Sequence, residues 1–470
     1  MNIILTGFTG FLGKVVLLQL FEEYENKISN VYLLIRNKGK LSSSDRFVQI
    51  LKKSLLGKKL IKYINKIKIL DGDLKYENLK IKEKIILNFS HKIDYFINCA
   101  ASVKFNSTAL NAYNNNCFSV INILEICKKY FKNLKKLIHV STFYVNFPGK
   151  IDKLNNLIDL NISYDKIISM IKDGKDLKYI NNKLDRPFAN TYVLTKCIGE
   201  HILYNNGLNK TEISIIRPSI IANSYKFPFE GWNDSYTAYA AFNYSYGINI
   251  INYINCNLNS SLNIVPVDFV SNSIISEIIC KENKKFKIIN SIVDDEKCIS
   301  MSSLYNCLDY YNILGYKSKY IVVKNNYFFN FFSLFFDYLP YYFLRILYIF
   351  NSKKYKLMSK LMNFSSISNI FHYYTHNTWY INSYKMKEIF NKNYYHKVII
   401  PKGINKYILK TELNFYPILN CKNHSYFDIL WLINRSKNSP LLTNLTAYIL
   451  RKVFKQIFSE IYIDIEKIIE

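Results

Sequence analysis

Asn2-Ile-Ile-Leu-Thr6-Gly7-Phe-Thr-Gly10-Phe-Leu-Gly13-Lys14 opens the chain. The first five residues are a short apolar run of the buried-strand type, and Lys14 to Glu23 has helical periodicity. Three glycines at a spacing of three join the two. Turn residues there must tolerate unusual backbone angles and let N–H groups come close to a pyrophosphate, while the helix N-terminus adds its dipole and donors. A glycine turn alone is weak evidence; its place between a strand and a helix is the confirming context. Thr6, Gly7, Thr9, Gly10, Phe11, Leu12 and Gly13 are therefore the residues expected against a dinucleotide.

Working outward, Val31 to Ile35 reads as a second strand, ending in Arg36-Asn37-Lys38. An acid at that position would suit a free ribose hydroxyl, whereas Arg suits a 2′-phosphate. Arg36 and Lys38 thus point to NADPH. Asp73, followed by Leu74 after a third strand at Ile67 to Leu70, is placed to contact the adenine. Further strand-like runs are Tyr95 to Asn98, Leu137 to Val140 and Ile213 to Ile216, separated by helical stretches such as Val120 to Phe131 and Tyr192 to Tyr204. This alternation predicts an α/β fold with a doubly wound parallel sheet.

Composition narrows the classes. The chain has 470 residues, 49% hydrophobic and 21% charged, which is globular rather than disordered. Its net charge of +28 would ordinarily suggest a polyanion. Yet only seven of the 63 basic residues are Arg and the other 56 are Lys. Arg is the residue of bidentate phosphate and base recognition, so nucleic acid is not an expected partner. The nine cysteines are scattered with no CxxC pair, which suggests neither a disulfide framework nor a zinc site, and a reducing compartment. No signal peptide is read, because the first strand starts at residue 2.

Tyr192-Val-Leu-Thr-Lys196 carries the second chemical signal. Positions i and i+4 share a helix face, so the ammonium is expected beside the phenol, lowering its pKa. Such a Tyr can protonate a carbonyl oxygen as hydride arrives at carbon. Upstream, Val140-Ser141-Thr142 offers a hydroxyl to the same oxygen.

These stretches together resemble the eukaryotic-type fatty acyl-CoA reductases, extended short-chain dehydrogenases with a further C-terminal domain. The GxxGxxG spacing fits that class. The resemblance is carried by Leu5 to Lys14, Val31 to Arg36, Asn98-Cys-Ala-Ala-Ser-Val-Lys-Phe105 and His139-Val-Ser-Thr-Phe-Tyr-Val-Asn146. It continues in Tyr192 to Lys196, Arg217-Pro-Ser219, Gly231-Trp232 and Val265-Pro-Val-Asp268. It implies a Rossmann-type sheet with a substrate-binding extension over residues 1–298, a smaller, mainly helical C-terminal domain over 299–411 and a tail over 412–470. It also implies NADPH-dependent reduction of a long-chain acyl-CoA to a fatty alcohol through an aldehyde. Tyr192 would be the acid and Lys196 its tuning cation. Thr142 would be the hydroxyl with Ser141 the fallback, and Asn116 the Asn behind the site. Ala100 and Ala101 would line the cofactor cleft. Other extended short-chain dehydrogenases, a sterol dehydrogenase or a nucleotide-sugar epimerase, are the alternative, as is a catalytically silent lipid- or cofactor-binding protein.

Three features stand apart. Asn325 to Phe350, dense in Phe, Tyr and Leu, fits either a buried helical core or a peripheral membrane contact. With the resemblance, this suggests an intracellular protein at the cytosolic face of the endoplasmic reticulum or at peroxisomes. His139 reads as a satisfied core or wall residue, and the i, i+4 pair His372 and His376 has no third ligand that would make a metal site. Finally, Phe415 to Leu432 resembles the first motif of glycerolipid acyltransferases. His424 and Asp428 there are separated by three residues instead of the family's four, and the segment is read as the start of a truncated or degenerate acyltransferase.

Overall fold

The apolar run at the N-terminus forms β1 (Asn2–Thr6), with parallel neighbours on both sides: β2 (Asn30–Ile35) and β4 (Tyr95–Asn98). Burial on both faces explains why β1 reads as continuous apolar sequence rather than an alternating one. β2 pairs with β3 (Ile67–Asp71), β4 with β5 (Lys136–Val140), β5 with β6 (Glu212–Pro218), and β6 with β7 (Phe286–Ser291), all parallel. The seven-stranded order is therefore β7-β6-β5-β4-β1-β2-β3, a doubly wound sheet as expected. Strand order reverses between β1 and β4, and in such sheets the crevice beyond the strand C-termini at this point is where ligands bind.

This computed structural model describes residues 1–208, 210–235, 240, 253–279, 284–293, 298–304, 321–323, 326–335, 339–347, 349–350 and 367–381. The acyltransferase-like stretch with His424 and Asp428 lies outside the described residues.

The helices that position the site are α1 (Phe11–Tyr24), α2 (Ser43–Lys53), α3 (Ala109–Asn116), α4 (Phe118–Tyr130), α5 (Thr191–Asn205) and α6 (Val267–Ile279). α1 starts three residues earlier than its periodicity suggests, because Gly10 stands at the N-cap and supplies no polar side chain to mark the start. β7 escapes the sequence pattern because Lys287 interrupts its apolar run. In the fold Lys287 meets the buried Glu277 of α6 at 3.0 Å, so the charge is paired.

The chain divides into two compact units. The first comprises the described residues of Met1–Phe229 and Asn263–Cys298, with Trp379 to Ile381. The last piece is a return of the chain: Trp379–Tyr380 pairs in parallel with Gly149–Lys150. The Trp379 indole donates to the Asn146 carbonyl at 2.8 Å and packs edge-on against Tyr144 at 4.9 Å.

The second unit takes the described residues of Glu230–Leu262 and Ile299–Thr378. It holds two short strand pairs and the helices α7 (Asn326–Ser333), α8 (Leu339–Leu347) and α9 (Ile367–His376). On α7 and α8 the aromatic stretch is largely exposed: Tyr327, Phe328, Phe331, Tyr342, Phe343 and Ile346 are each more than half accessible. Of the two readings of Asn325 to Phe350, the described residues thus depart from the buried core. On α9, His372 and His376 stack at 4.0 Å, and among the described residues no cluster of three metal-ligating groups occurs.

Candidate active site

The glycine turn is shaped by two close approaches. Gly7 has φ +78°, and a Cβ there would lie 2.6 Å from the Cys99 carbonyl carbon. At Gly13 a Cβ would lie 2.7 Å from the Gly7 carbonyl carbon. Only glycine fits either position, so α1 begins directly on the turn and β1 abuts the loop after β4. The N-terminus of α1 receives no side-chain cap and has no acid in its first turn. Its N–H groups and positive dipole end are left for an anion. This arrangement fits the pyrophosphate of a dinucleotide.

Thr6, Asn98 and His139 stand side by side, because β1, β4 and β5 pair in that register. The Thr6 hydroxyl donates to Asn98 Oδ1 at 2.6 Å and accepts the Ala100 N–H at 3.3 Å. Asn98 Nδ2 lies 2.9 Å from His139 Nδ1, and His139 Nε2 lies 3.2 Å from Lys196 Nζ. Lys196 Nζ also donates to the Val140 carbonyl at 2.5 Å. His139 is thus a satisfied buried residue, as expected, and its partner is the lysine of the Tyr192/Lys196 pair.

Burial lowers Lys196 to about 8, against opposing attraction from Glu200 and the Cys117 and Cys99 sulfurs. Burial, with Lys196 adding to it, holds His139 well below its usual range, so the ring is neutral. Burial also pushes the Tyr192 phenol up. The ring of Tyr192 is partly exposed and lies 5.7 Å from that of Phe105. The expected lowering of the phenol by the lysine cation is not found, because desolvation governs both groups. Tyr192 is consequently a fully protonated donor at neutral pH.

The two hydroxyls after β5 differ. Thr142 Oγ1 accepts the Tyr144 N–H at 3.3 Å and caps a short 3-10 turn. Ser141 Oγ is buried and has no hydrogen-bond partner among the described residues. Asn116, at the end of α3, is fully engaged: it accepts the Ser102 N–H at 2.9 Å and donates to the Ser102 carbonyl at 3.2 Å and to Thr195 Oγ1 at 3.1 Å. It ties the loop carrying Ala100 and Ala101 to α5, between Tyr192 and Lys196. A buried ion pair fixes the same helix to the sheet: Arg217 of β6 grips Glu200 through Nε at 2.9 Å and through Nη2.

At the end of β2, Arg36 and Lys38 are exposed. Arg46 of α2 donates to the Arg36 carbonyl, and burial together with the Arg36 charge lowers the Arg46 guanidinium. The Arg46 guanidinium thus feels the Arg36 charge, and two like cations within reach of each other favour an anion. Arg46 was not singled out in the sequence, because ten residues separate it from Arg36 and only the β2–α2 connection brings them together. Just after the neighbouring strand β3, Asp73 Oδ1 accepts the Lys75 N–H at 3.1 Å, and Asn122 of α4 donates to the Leu74 carbonyl at 2.8 Å.

Residues 5–274 match the family model for the NAD-binding domain described as male sterility protein. The chain belongs to this family. Among curated proteins it is 31% identical to fatty acyl-CoA reductase 1 of Rattus norvegicus over 288 residues, covering 58% of this chain and 53% of that protein. It is 30% identical to fatty acyl-CoA reductase 1 of Homo sapiens over 284 residues, with the same coverage. The chain spans about half the length of the curated relatives it matches. Among solved structures, the terminal R domain of the myxalamid biosynthetic pathway shares its fold, with a TM-score of 0.57 at 17% identity, covering 88% of this chain and 89% of that one. Membership of an NAD-binding family agrees with the glycine turn, the uncapped α1 and the switch point of the sheet. The family model is that of an NAD-binding domain, and the turn at Gly7 and Gly13 with the uncapped start of α1 fits the pyrophosphate of such a cofactor.

Proposed function

We propose that this chain is an NADPH-dependent fatty acyl-CoA reductase, converting a long-chain acyl-CoA to the fatty alcohol and releasing CoA. The observation that carries it is the Tyr192/Lys196 pair on a buried helix beside a glycine turn, in a chain whose curated relatives are named fatty acyl-CoA reductases. Arg36 and Arg46 support NADPH over NADH, since together they would meet a 2′-phosphate. When bound, the nicotinamide supplies the hydride. Tyr192 gives its hydroxyl proton to the substrate carbonyl oxygen as the carbon is reduced, leaving a thiohemiacetal. Its C–S bond then breaks, and the hydroxyl proton passes to the CoA sulfur, leaving an aldehyde. After Tyr192 regains a proton from solvent, it gives this second proton as the second hydride arrives from a second NADPH, leaving the alcohol. Lys196 orients the site and returns charge balance after each transfer, and Ser141, just after β5 and with no hydrogen-bond partner among the described residues, is the hydroxyl placed to hold the carbonyl oxygen.

Purified protein incubated with palmitoyl-CoA and NADPH should form the alcohol and free CoA. Folded protein that binds NADPH yet oxidises none across chain lengths would refute the reductase. Turnover of sterols or nucleotide sugars instead would assign it to another branch of the extended dehydrogenases. Tyr192→Phe should lower turnover by about 10²–10⁴-fold with NADPH affinity nearly unchanged; retained turnover removes Tyr192 as the acid.

The exposed aromatic faces of α7 and α8 support a peripheral contact with an anionic membrane, which would bring the enzyme to its lipid substrate. Arg345 lies on α8, and Lys353, Lys354, Lys356 and Lys360 follow in sequence. Among the described residues no helix is long and apolar enough to cross a membrane. Vesicles containing phosphatidylserine should retain the protein in a salt-sensitive manner. Equal failure to bind at low and high salt would end this reading.

A further inference from the structure

The row from Thr6 to Lys196 has a direction. With the Asn98 amide as it stands, Thr6 donates to Oδ1 and Nδ2 donates to His139 Nδ1, so Nδ1 carries no hydrogen. A neutral imidazole then holds its hydrogen on Nε2, facing Lys196 Nζ at 3.2 Å. An ammonium group has three donors and no acceptor. This direction therefore fits Lys196 only as a neutral amine, giving one hydrogen to the Val140 carbonyl and taking one from His139.

When Lys196 is charged, each bond of the row must reverse. Lys196 donates to Nε2, Nδ1–H donates to the Asn98 oxygen after the amide turns over, and the amide nitrogen donates to Thr6 Oγ1. Thr6, Asn98, His139 and Lys196 are each at most 2% exposed, so water cannot repair a mismatch. A half-reversed row sets donor against donor or acceptor against acceptor in a buried place, which is costly.

We propose that Lys196, His139, Asn98 and Thr6 form a two-state hydrogen-bonded row in which His139 changes tautomer whenever Lys196 gains or loses its proton. His139 is then a positioning residue: it lets Lys196 take either charge without losing a partner. The two states differ by one proton in all, taken up from solvent or the Tyr192 side: Lys196 ends with one more hydrogen, the imidazole gives up its Nε2 hydrogen and gains one on Nδ1, and the Asn98 amide turns over with its hydrogens unchanged in number. The inference rests on reading Lys196 as the cation of the catalytic helix. The other titratable groups facing Lys196 are Glu200 on its own helix, Cys99 after β4 and Cys117 between α3 and α4. Glu200 is committed to Arg217 at both oxygens. Burial pushes both thiols up, Cys99 to about 12, so neither ionises where Lys196 does. Lys196 is the charged group that faces His139.

The test is 15N spectroscopy of the imidazole nitrogens in the whole chain, with the His139 signals assigned by their loss in His139→Gln. From about pH 7 to about pH 9.5 the signals should pass from the Nδ1–H to the Nε2–H pattern, with a single midpoint. Lys196→Met should show one tautomer throughout. Asn98→Asp, which offers only acceptors, should keep Nδ1 protonated over the same range and serves if the Lys196 variant does not fold. One unchanging tautomer in the unsubstituted protein, or an unaltered switch in either variant, overturns the row. The outcome is separate from the reductase reading: a tautomer switch without turnover sinks the function alone, and turnover with a fixed tautomer sinks the row alone.

Discussion

Lys196 carries a cost in the folded state. Its ammonium is buried, and desolvation brings it from 10.5 down to about 8. Between those two values the unfolded chain binds a proton that the folded chain does not, so this group makes stability rise with pH through that window. Below about 8 both states are protonated and the penalty is constant. The displacement corresponds to about 3 kcal/mol at most. Urea unfolding at pH 8 and pH 10 should therefore show a smaller gain with pH in Lys196→Met than in the unsubstituted protein. An identical gain in both would mean that Lys196 is not desolvated as described. Arg36 and Arg46 act at the same scale but on a ligand. Replacing either with Ala should raise the NADPH KM by roughly tenfold or more, with kcat little changed, since a charge-assisted bond is worth about 1.5–3 kcal/mol. An unaltered preference for NADPH over NADH would remove the pair from the 2′-phosphate. Arg36 was legible in the sequence because strand ends carry a known meaning. Arg46 was not, and for His139 the sequence shows burial but not its lysine partner, because both depend on what faces them in the fold.

At the scale of elements, α1 and β1 owe their relation to two missing side chains. Gly7→Ala must place an L-residue at φ +78° and push a methyl into the backbone of Cys99 and Ala100. The left-handed conformation alone costs about 1–2 kcal/mol. A lowered urea midpoint together with weakened NADPH binding is the expected result, and full affinity with unchanged stability would show that the turn is not the binding element. The strands flanking this turn were readable within a residue or so, because each is buried on both faces and bounded by polar residues. Among the elements that the apolar pattern does not mark, β7 and α3 have charges or amides inside them. Lys287 of β7 pairs with Glu277, and Asn116 of α3 is taken up by Ser102 and Thr195. A one-dimensional pattern counts such residues as breaks, whereas the fold supplies them with partners.

For the molecule as a whole, composition suggested a boundary near residue 300, yet the first unit is not continuous in sequence. Residues 230–262 leave it and Trp379 rejoins it. Nothing local in Trp379-Tyr380 reveals a partner 233 residues earlier, since the indole's hydrogen bond to Asn146 is made only by the folded chain. Trp379→Ala should destabilise the protein by roughly 3–5 kcal/mol, the usual loss for a buried Trp in a packed interior. A change below 1 kcal/mol in urea unfolding would show the return strand to be ornamental. The same strand bears on the birth of the protein. The segment after Thr142, which includes Tyr144 and Asn146, emerges from the ribosome long before its partner. At about 5–20 residues per second, the separation of 233 residues represents roughly 10–50 seconds of synthesis. For that interval the loop bordering the site lacks the strand that pairs with it, and the first unit is complete only once Trp379 has been made.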